Sequence, residues 1–259
     1  MLSTASSYSF LTQSVVLFFL IFARVGSTLS VAAGFGETFV SPRIRLMLAL
    51  SISFCLFFPL EHPLAHVAKA PSLGIFLGEV VIGLFMGLLV RMAVLALETA
   101  GAAMSMFSGL HLGSFFSPLF PQGESPYGTF LTMTMITLMF LGDMHHWILK
   151  GVVESYRLCE PGAPLPLLQF ASFADWVNRC FILSLQLAAP FLVTQLLFFL
   201  GVGLVNRLVA QMQVYFLSQP IQILMGLAML AISLPLVTKT FFTFFAGAIF
   251  PRFVASPAG

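Results

Sequence analysis

The chain alternates long apolar stretches with short polar ones. The apolar stretches cover roughly 5–23, 25–36, 46–60, 73–97, 99–117, 127–142, 180–206 and 221–250, and the polar intervals 37–45, 61–72, 118–126 and 150–179. A helix needs about 20 apolar residues to span a bilayer, so several of these stretches suit a membrane span while others are short or interrupted. The pattern predicts an all-α integral membrane protein with kinked and broken helices. Arg24 separates the first two stretches, and Glu79, Arg91 and Glu98 sit in the third region. Pro190 falls inside 180–206, and Pro235 and Lys239 interrupt the last stretch. Proline removes a helix hydrogen bond, so kinks or breaks are expected at these positions. The interval 150–179 carries Pro161, Pro164 and Pro166 and is expected to begin as loop.

Composition supports the membrane reading. Apolar residues make up 59% of the chain and charged residues 8%, against roughly 25% charged in soluble domains. Eleven basic and nine acidic residues cannot wet the surface of a soluble fold of 259 residues. The net charge of +2 is too small to imply a nucleic-acid partner. Thirty Phe and thirteen Met suit apolar packing that adapts to its neighbours. Cys55, Cys159 and Cys180 show no CxxC spacing and read as unpaired thiols, without a disulfide framework or metal site. No Lys or Arg precedes the apolar run Tyr8–Ala23, so the first segment reads as retained instead of a signal peptide. Basic residues are spread over nearly every connection, at Arg43, Arg45, Lys69, Lys150, Arg157, Arg179, Arg207 and Arg252. That spread leaves little asymmetry for orientation. Short, Gly-rich segments with scattered charge favour a multi-chain assembly, in which protein covers irregular backbone at membrane depth.

Charges within apolar runs need partners, because an isolated charge at a helix centre costs about 2.5–3.5 kcal/mol on insertion scales. Glu79, Arg91 and Glu98 are therefore expected to face protein, a cavity or water, either as structural ion pairs or as part of a gate or ion path. Gly74-x-x-x-Gly78 and Gly83-x-x-x-Gly87 place small residues one turn apart, where two helix backbones can approach. Catalytic motifs are scarce: the sequence holds no HExxH, no GxSxG and no P-loop. Phe140-Leu141-Gly142-Asp143 resembles half of a presenilin-type aspartyl site, but the first Gly is absent and so is the paired carboxylate. His145 and His146 lie near Asp143; adjacent histidines diverge on a helix, so a polar cluster is expected there and no metal. The segment Met106–Gln122 combines Gly109, Gly113, Pro118 and Pro121 with four Phe. Its glycines and prolines oppose a continuous helix. Its aromatics oppose a solvated loop, which leaves packed core or an apolar constriction.

Several blocks in order resemble the FliR family of the flagellar export apparatus and its virulence type III counterparts. They are Phe22-Ala23-Arg24-Val25-Gly26 with Ser41-Pro42-Arg43-Ile44-Arg45; Leu77-Gly78-Glu79-Val80-Val81-Ile82-Gly83 with Gly87; and Ala100-Gly101 with Met106–Gln122. Phe140-Leu141-Gly142, His145-His146 and Glu154-Ser155-Tyr156 follow. Ala188-Ala189-Pro190, Gly203-Leu204-Val205-Asn206-Arg207 and Gln211-Met212-Gln213-Val214 complete the set. Ala210 replaces the Pro usual before Gln211, and Ser117-Pro118 replaces a common Asp-Pro. The histidine block leans toward the flagellar branch.

The resemblance implies a non-catalytic subunit without cofactors, in the bacterial inner membrane at a flagellar basal body or secretion-system base. It implies a structural pore subunit of a type III export gate, passing unfolded secreted proteins in company with FliP-like and FliQ-like membrane proteins, a FlhB-like export protein and surrounding lipid. It divides the chain into a FliP-like helical region, 1–175, and a FliQ-like helical hairpin, 176–259. It makes the loop near 106–122 a plug, with Met106, Phe107, Phe115, Phe116, Leu119 and Phe120 as pore candidates. Arg24, Glu79, Arg91, Glu98 and Arg207 are the buried-charge candidates. The alternative is a small-molecule or ion transporter using those buried charges. Transporters often show inverted repeats, and 1–130 and 131–259 show no such symmetry.

Overall fold

A computed structural model describes residues 2–37, 39–64, 72–110, 125–162, 167–208 and 214–254. Among the described residues the chain forms seven helices and no strand: α1 (Leu2–Val31), α2 (Pro42–Leu64), α3 (Leu73–Phe107), α4 (Pro126–Leu141), α5 (His145–Leu158), α6 (Leu167–Leu208) and α7 (Val214–Val254). Five of them are long and apolar enough to cross a membrane, over Gln13–Val31, Pro42–Leu60, Leu73–Phe107, Phe173–Leu208 and Leu217–Gly247. The protein is an all-helical integral membrane protein.

Several expected interruptions do not break the helices. Arg24 lies inside the 30-residue α1, and Glu98 inside the 35-residue α3, so two pairs of apolar stretches merge into single helices. A charged side chain leaves the backbone ladder intact; its cost is solvation, which a partner or exposure removes. Pro190 stands inside the 42-residue α6. Pro235 likewise stands inside α7. Proline forfeits one ladder bond, and membrane helices of this length tolerate it. The interval 150–179 does not begin as loop, because α5 runs to Leu158. Its Ile148, Gly151, Val152, Ser155 and Tyr156 are buried at helical spacing, and the three prolines come after it.

The chain divides into two compact units: Met1–Arg91 with Gly142–Ala174 and Gly247–Gly259, and Met92–Leu141 with Asp175–Ala246. In the first unit, α1 presents Leu17, Ile21, Val25 and Leu29 at four-residue spacing to Ala49, Leu60, Met86, Val152 and Tyr156. Gly83 and Gly87 on α3 seat α1. A β-carbon on Gly83 would collide with the Arg24 carbonyl and Ser27 Oγ. One on Gly87 would lie 2.6 Å from the Thr28 carbonyl. Gly78, by contrast, faces nothing within 4 Å. Among the described residues, only the second of the two glycine pairs seats another helix.

In the second unit, Gly101 of α3 meets Gly128 of α4 so closely that neither position has room for a β-carbon. Ser125 Oγ accepts the Gly128 N–H at 3.0 Å, and Ser105 Oγ accepts the Tyr127 N–H at 3.0 Å, which satisfies donors of the first turn of α4. Met104, Leu131, Met135, Met139, Phe191, Phe241 and Phe245 fill the core, and Trp176 stacks on Phe244 at 4.9 Å. The outer faces of α6 and α7 remain apolar and exposed, at residues such as Leu196, Leu197, Leu204, Ile221, Leu224 and Ile232.

The helix seat is testable. Gly83→Val is expected to destabilise the detergent-solubilised chain by about 1–3 kcal/mol or more through overpacking, while Gly78→Val leaves it near wild type. Thermal melts with equal midpoints for the two variants would remove the seating role from Gly83.

Candidate functional site

Arg24 and Glu79 form the electrostatic centre of the first unit. Four-residue spacing on α3 puts Glu79, Gly83 and Gly87 on one face, and the same spacing on α1 aligns Arg24 with Thr28. The glycines let α1 approach, and the approach brings guanidinium to carboxylate. Arg24 Nε donates to Glu79 Oε2 at 2.6 Å and Nη2 to Oε1 at 2.8 Å, a bidentate pair. Nη2 also donates to the Cys159 carbonyl at 3.0 Å, and Nη1 to Ser155 Oγ at 3.1 Å. The guanidinium carbon lies 3.9 Å from the centre of the Tyr156 ring, a cation–π contact. Side-chain exposure is 0% for Arg24 and 1% for Glu79, so protein groups and not water satisfy this pair. Burial pushes the Tyr156 phenol well above its ordinary value, opposed only in part by Arg24, so the ring remains neutral beside the cation. The pair is thus enclosed by protein groups, with almost no side-chain surface left exposed.

A second pair joins Arg91 Nη1 on α3 to Glu37 Oε1 in the connection after α1, with 30% and 13% of the side chains exposed. Arg45 gathers that connection by donating to the Phe35 and Glu37 carbonyls, each at 3.0 Å. Glu98 and Arg207, expected among the buried charges, are exposed on this chain. They do not join the Arg24 cluster.

Met106 and Phe107 close α3, with Met106 exposed and Phe107 half-buried. The expected irregular segment thus begins two residues later than Met106. Gln222 Nε2 on α7 donates to the Phe107 carbonyl at 2.9 Å. Gly109 follows with φ +72°, a backbone that side-chain-bearing residues rarely adopt, and it packs against the amides of Gln219 and Gln222. Gly226 on α7 leaves room for Ser108. Phe115, Phe116, Leu119 and Phe120 lie outside the described residues.

The sequence reading singled out both halves of the central pair but missed their surroundings. Ser155, Tyr156 and Cys159 enter through the buried face of α5, a signal present in the spacing of Ile148, Val152 and Ser155. Glu37 was passed over because it lies in a polar interval, where acidic residues are ordinarily solvated. Gln222 falls within the apolar stretch 221–250, which hides it, and Gln219 stands just before that stretch.

Truncating one member of a buried pair strands its partner, which costs about 3–5 kcal/mol. Glu79→Ala is therefore expected to lower folded yield and the thermal midpoint in detergent, with Arg24→Leu/Glu79→Leu recovering much of the loss. A Glu79→Ala protein as stable as wild type would show that the pair is dispensable.

Comparison with known proteins carries this geometry to a family. The sequence model described as bacterial export proteins, family 1, matches residues 15–248. The flagellar biosynthetic protein FliR of Caulobacter vibrioides is 34% identical, over 83% of this chain and 87% of its own length. FliR of Escherichia coli is 25% identical over 85% of each chain. The secretion system apparatus protein SsaT of Salmonella typhimurium is 29% identical over 66% of this chain and 67% of its own. With five helices able to span, these relatives place the chain in the bacterial inner membrane at a flagellar or secretion base, among structural components and not enzymes. A family match across nearly the whole length, with the paired Arg24 and Glu79 in the blocks that first suggested it, establishes that the chain belongs to the FliR family of bacterial export proteins.

Proposed function

We propose that this chain is a structural pore subunit of a type III protein export gate, flagellar in use, through which unfolded substrates cross the inner membrane. Family membership supplies the export role. The observation that carries the subunit role is the apolar outer surface of α6 and α7. Most residues of the spans Phe173–Leu208 and Leu217–Gly247 are not buried within the chain. Lipid alone could cover such faces, but helix association in a bilayer relies on close packing. Among the described residues Gly201 and Gly203 meet nothing within 4 Å, which leaves two backbone positions on α6 open to the close approach of another helix. In this reading the partners are FliP-like and FliQ-like membrane proteins with a FlhB-like export protein. Residues 1–175 form the FliP-like part and 176–259 the FliQ-like hairpin. The Phe-rich segment 106–122 is the constriction. Its start is tied to α7 through Gln222, which would hold the root of such a plug in place.

The assembly is tested by native mass spectrometry after co-expression with neighbouring membrane-protein genes. One copy of this chain in a complex with two other kinds of small membrane protein is expected. A stable monomer or homo-oligomer without partners would reject the gate and direct attention to solute transport. For the plug, removing Phe115–Phe120 is expected to raise ion leak through assembled gates; unchanged conductance would separate the constriction from this segment.

A further inference from the structure

The corner between α4 and α5 holds donor groups that the export reading leaves unused. Asp143 has φ +55°, the only positive φ of a non-glycine among the described residues. Aspartate is one of the few side-chain-bearing residues that tolerate this left-handed backbone, which remains costly and is worth a functional explanation where it occurs. The carbonyl of Asp143 accepts the His146 N–H at 3.1 Å, and its Oδ1 lies 3.7 Å from His146 Nδ1. Successive side chains on a helix diverge by about 100°, yet the rings of His145 and His146, the first residues of α5, lie 4.1 Å apart at 38°. One donor atom each from Asp143, His145 and His146 falls within 4.8 Å of the other two.

Two imidazoles and a carboxylate match the donor preference of zinc-class ions. Bonds of about 2.0–2.2 Å put tetrahedral donors roughly 3.4 Å apart. The Asp143–His146 separation is already close to that. Asp143 and His146 are 79% and 58% exposed, so their side chains can rotate to close the remainder. The carboxylate charge also offsets the positive N-terminal end of α5, which would otherwise repel a cation.

We propose that Asp143, His145 and His146 form a three-donor site for a zinc-class divalent cation, its fourth position open to water. A bound ion ties the left-handed turn to the first turn of α5 and sets the direction in which the chain enters that helix. The donors are three near neighbours in sequence, so the site requires no other chain.

The test uses the full chain, carried on a tag without histidine, purified in mild detergent and stripped with a chelator. Zn²⁺ is titrated against a chromogenic competitor. Wild type is expected to take up one equivalent. Asp143→Gly keeps the left-handed backbone without strain but removes the carboxylate. That variant, His145→Ala and His146→Ala should each weaken binding by about tenfold or more, since even supporting groups around a metal contribute that much. No uptake by wild type would overturn the site, as would wild-type affinity in any one of the three variants. Variant midpoints measured without metal show whether a loss of binding reflects lost donors or lost fold.

Discussion

The bidentate contact between Arg24 and Glu79 is the constraint around which the first unit is arranged. Two full charges at 0% and 1% exposure are tolerable only if nearly every donor and acceptor around them is matched. That demand reaches into three helices. α1 supplies the cation, α3 the carboxylate, and α5 the hydroxyl of Ser155 and the face of Tyr156, with the Cys159 carbonyl just beyond its end. The glycine stripe on α3 follows from the same demand. Gly83, one turn from Glu79, lets the backbone of α1 press against α3 where the Arg24 carbonyl lies. A larger residue there would hold the helices apart and leave the two charges too distant to pair.

The remaining charges follow a gradation of burial. Arg91 and Glu37 are partly exposed and tie the connection after α1 to α3. Arg45 spends its donors on backbone carbonyls of that connection, satisfying groups that no helix ladder reaches. Glu98 and Arg207 are left exposed on the chain. In a bilayer, exposed charges need headgroups, water or another protein. The uncovered apolar faces of α6 and α7 suit helices that cross a membrane.

The second unit solves a different problem with similar means. Glycines again mark the crossing, Gly101 on Gly128, but the core is methionine and phenylalanine and contains no ion pair among the described residues. Polar contacts concentrate where α3 ends. There Gln222 reaches the Phe107 carbonyl and Gly109 takes a left-handed backbone. α7 thus holds the end of α3 through a polar side chain near its own N-terminal end.

Much of this was legible without coordinates. The long apolar stretches and the scarcity of charge determined a helical membrane protein, because a continuous apolar run of about 20 residues spans lipid as a helix that satisfies its own backbone polar groups. The ordered blocks around Arg24, Glu79 and Gly83 indicated the family. Sequence alone misjudged where helices stop. It weighs Arg24, Glu98 and Pro190 by local cost, and tertiary contacts or exposure absorb that cost. It also could not choose partners. Glu79 had several basic residues within reach of a plausible fold, and only the packing of α1 on Gly83 and Gly87 selects Arg24. Ser155, Tyr156 and Glu37 joined the charged groups through contacts more than fifty residues apart. Such separations carry no local periodicity; they are decided when helices pack and buried polar groups must find one another.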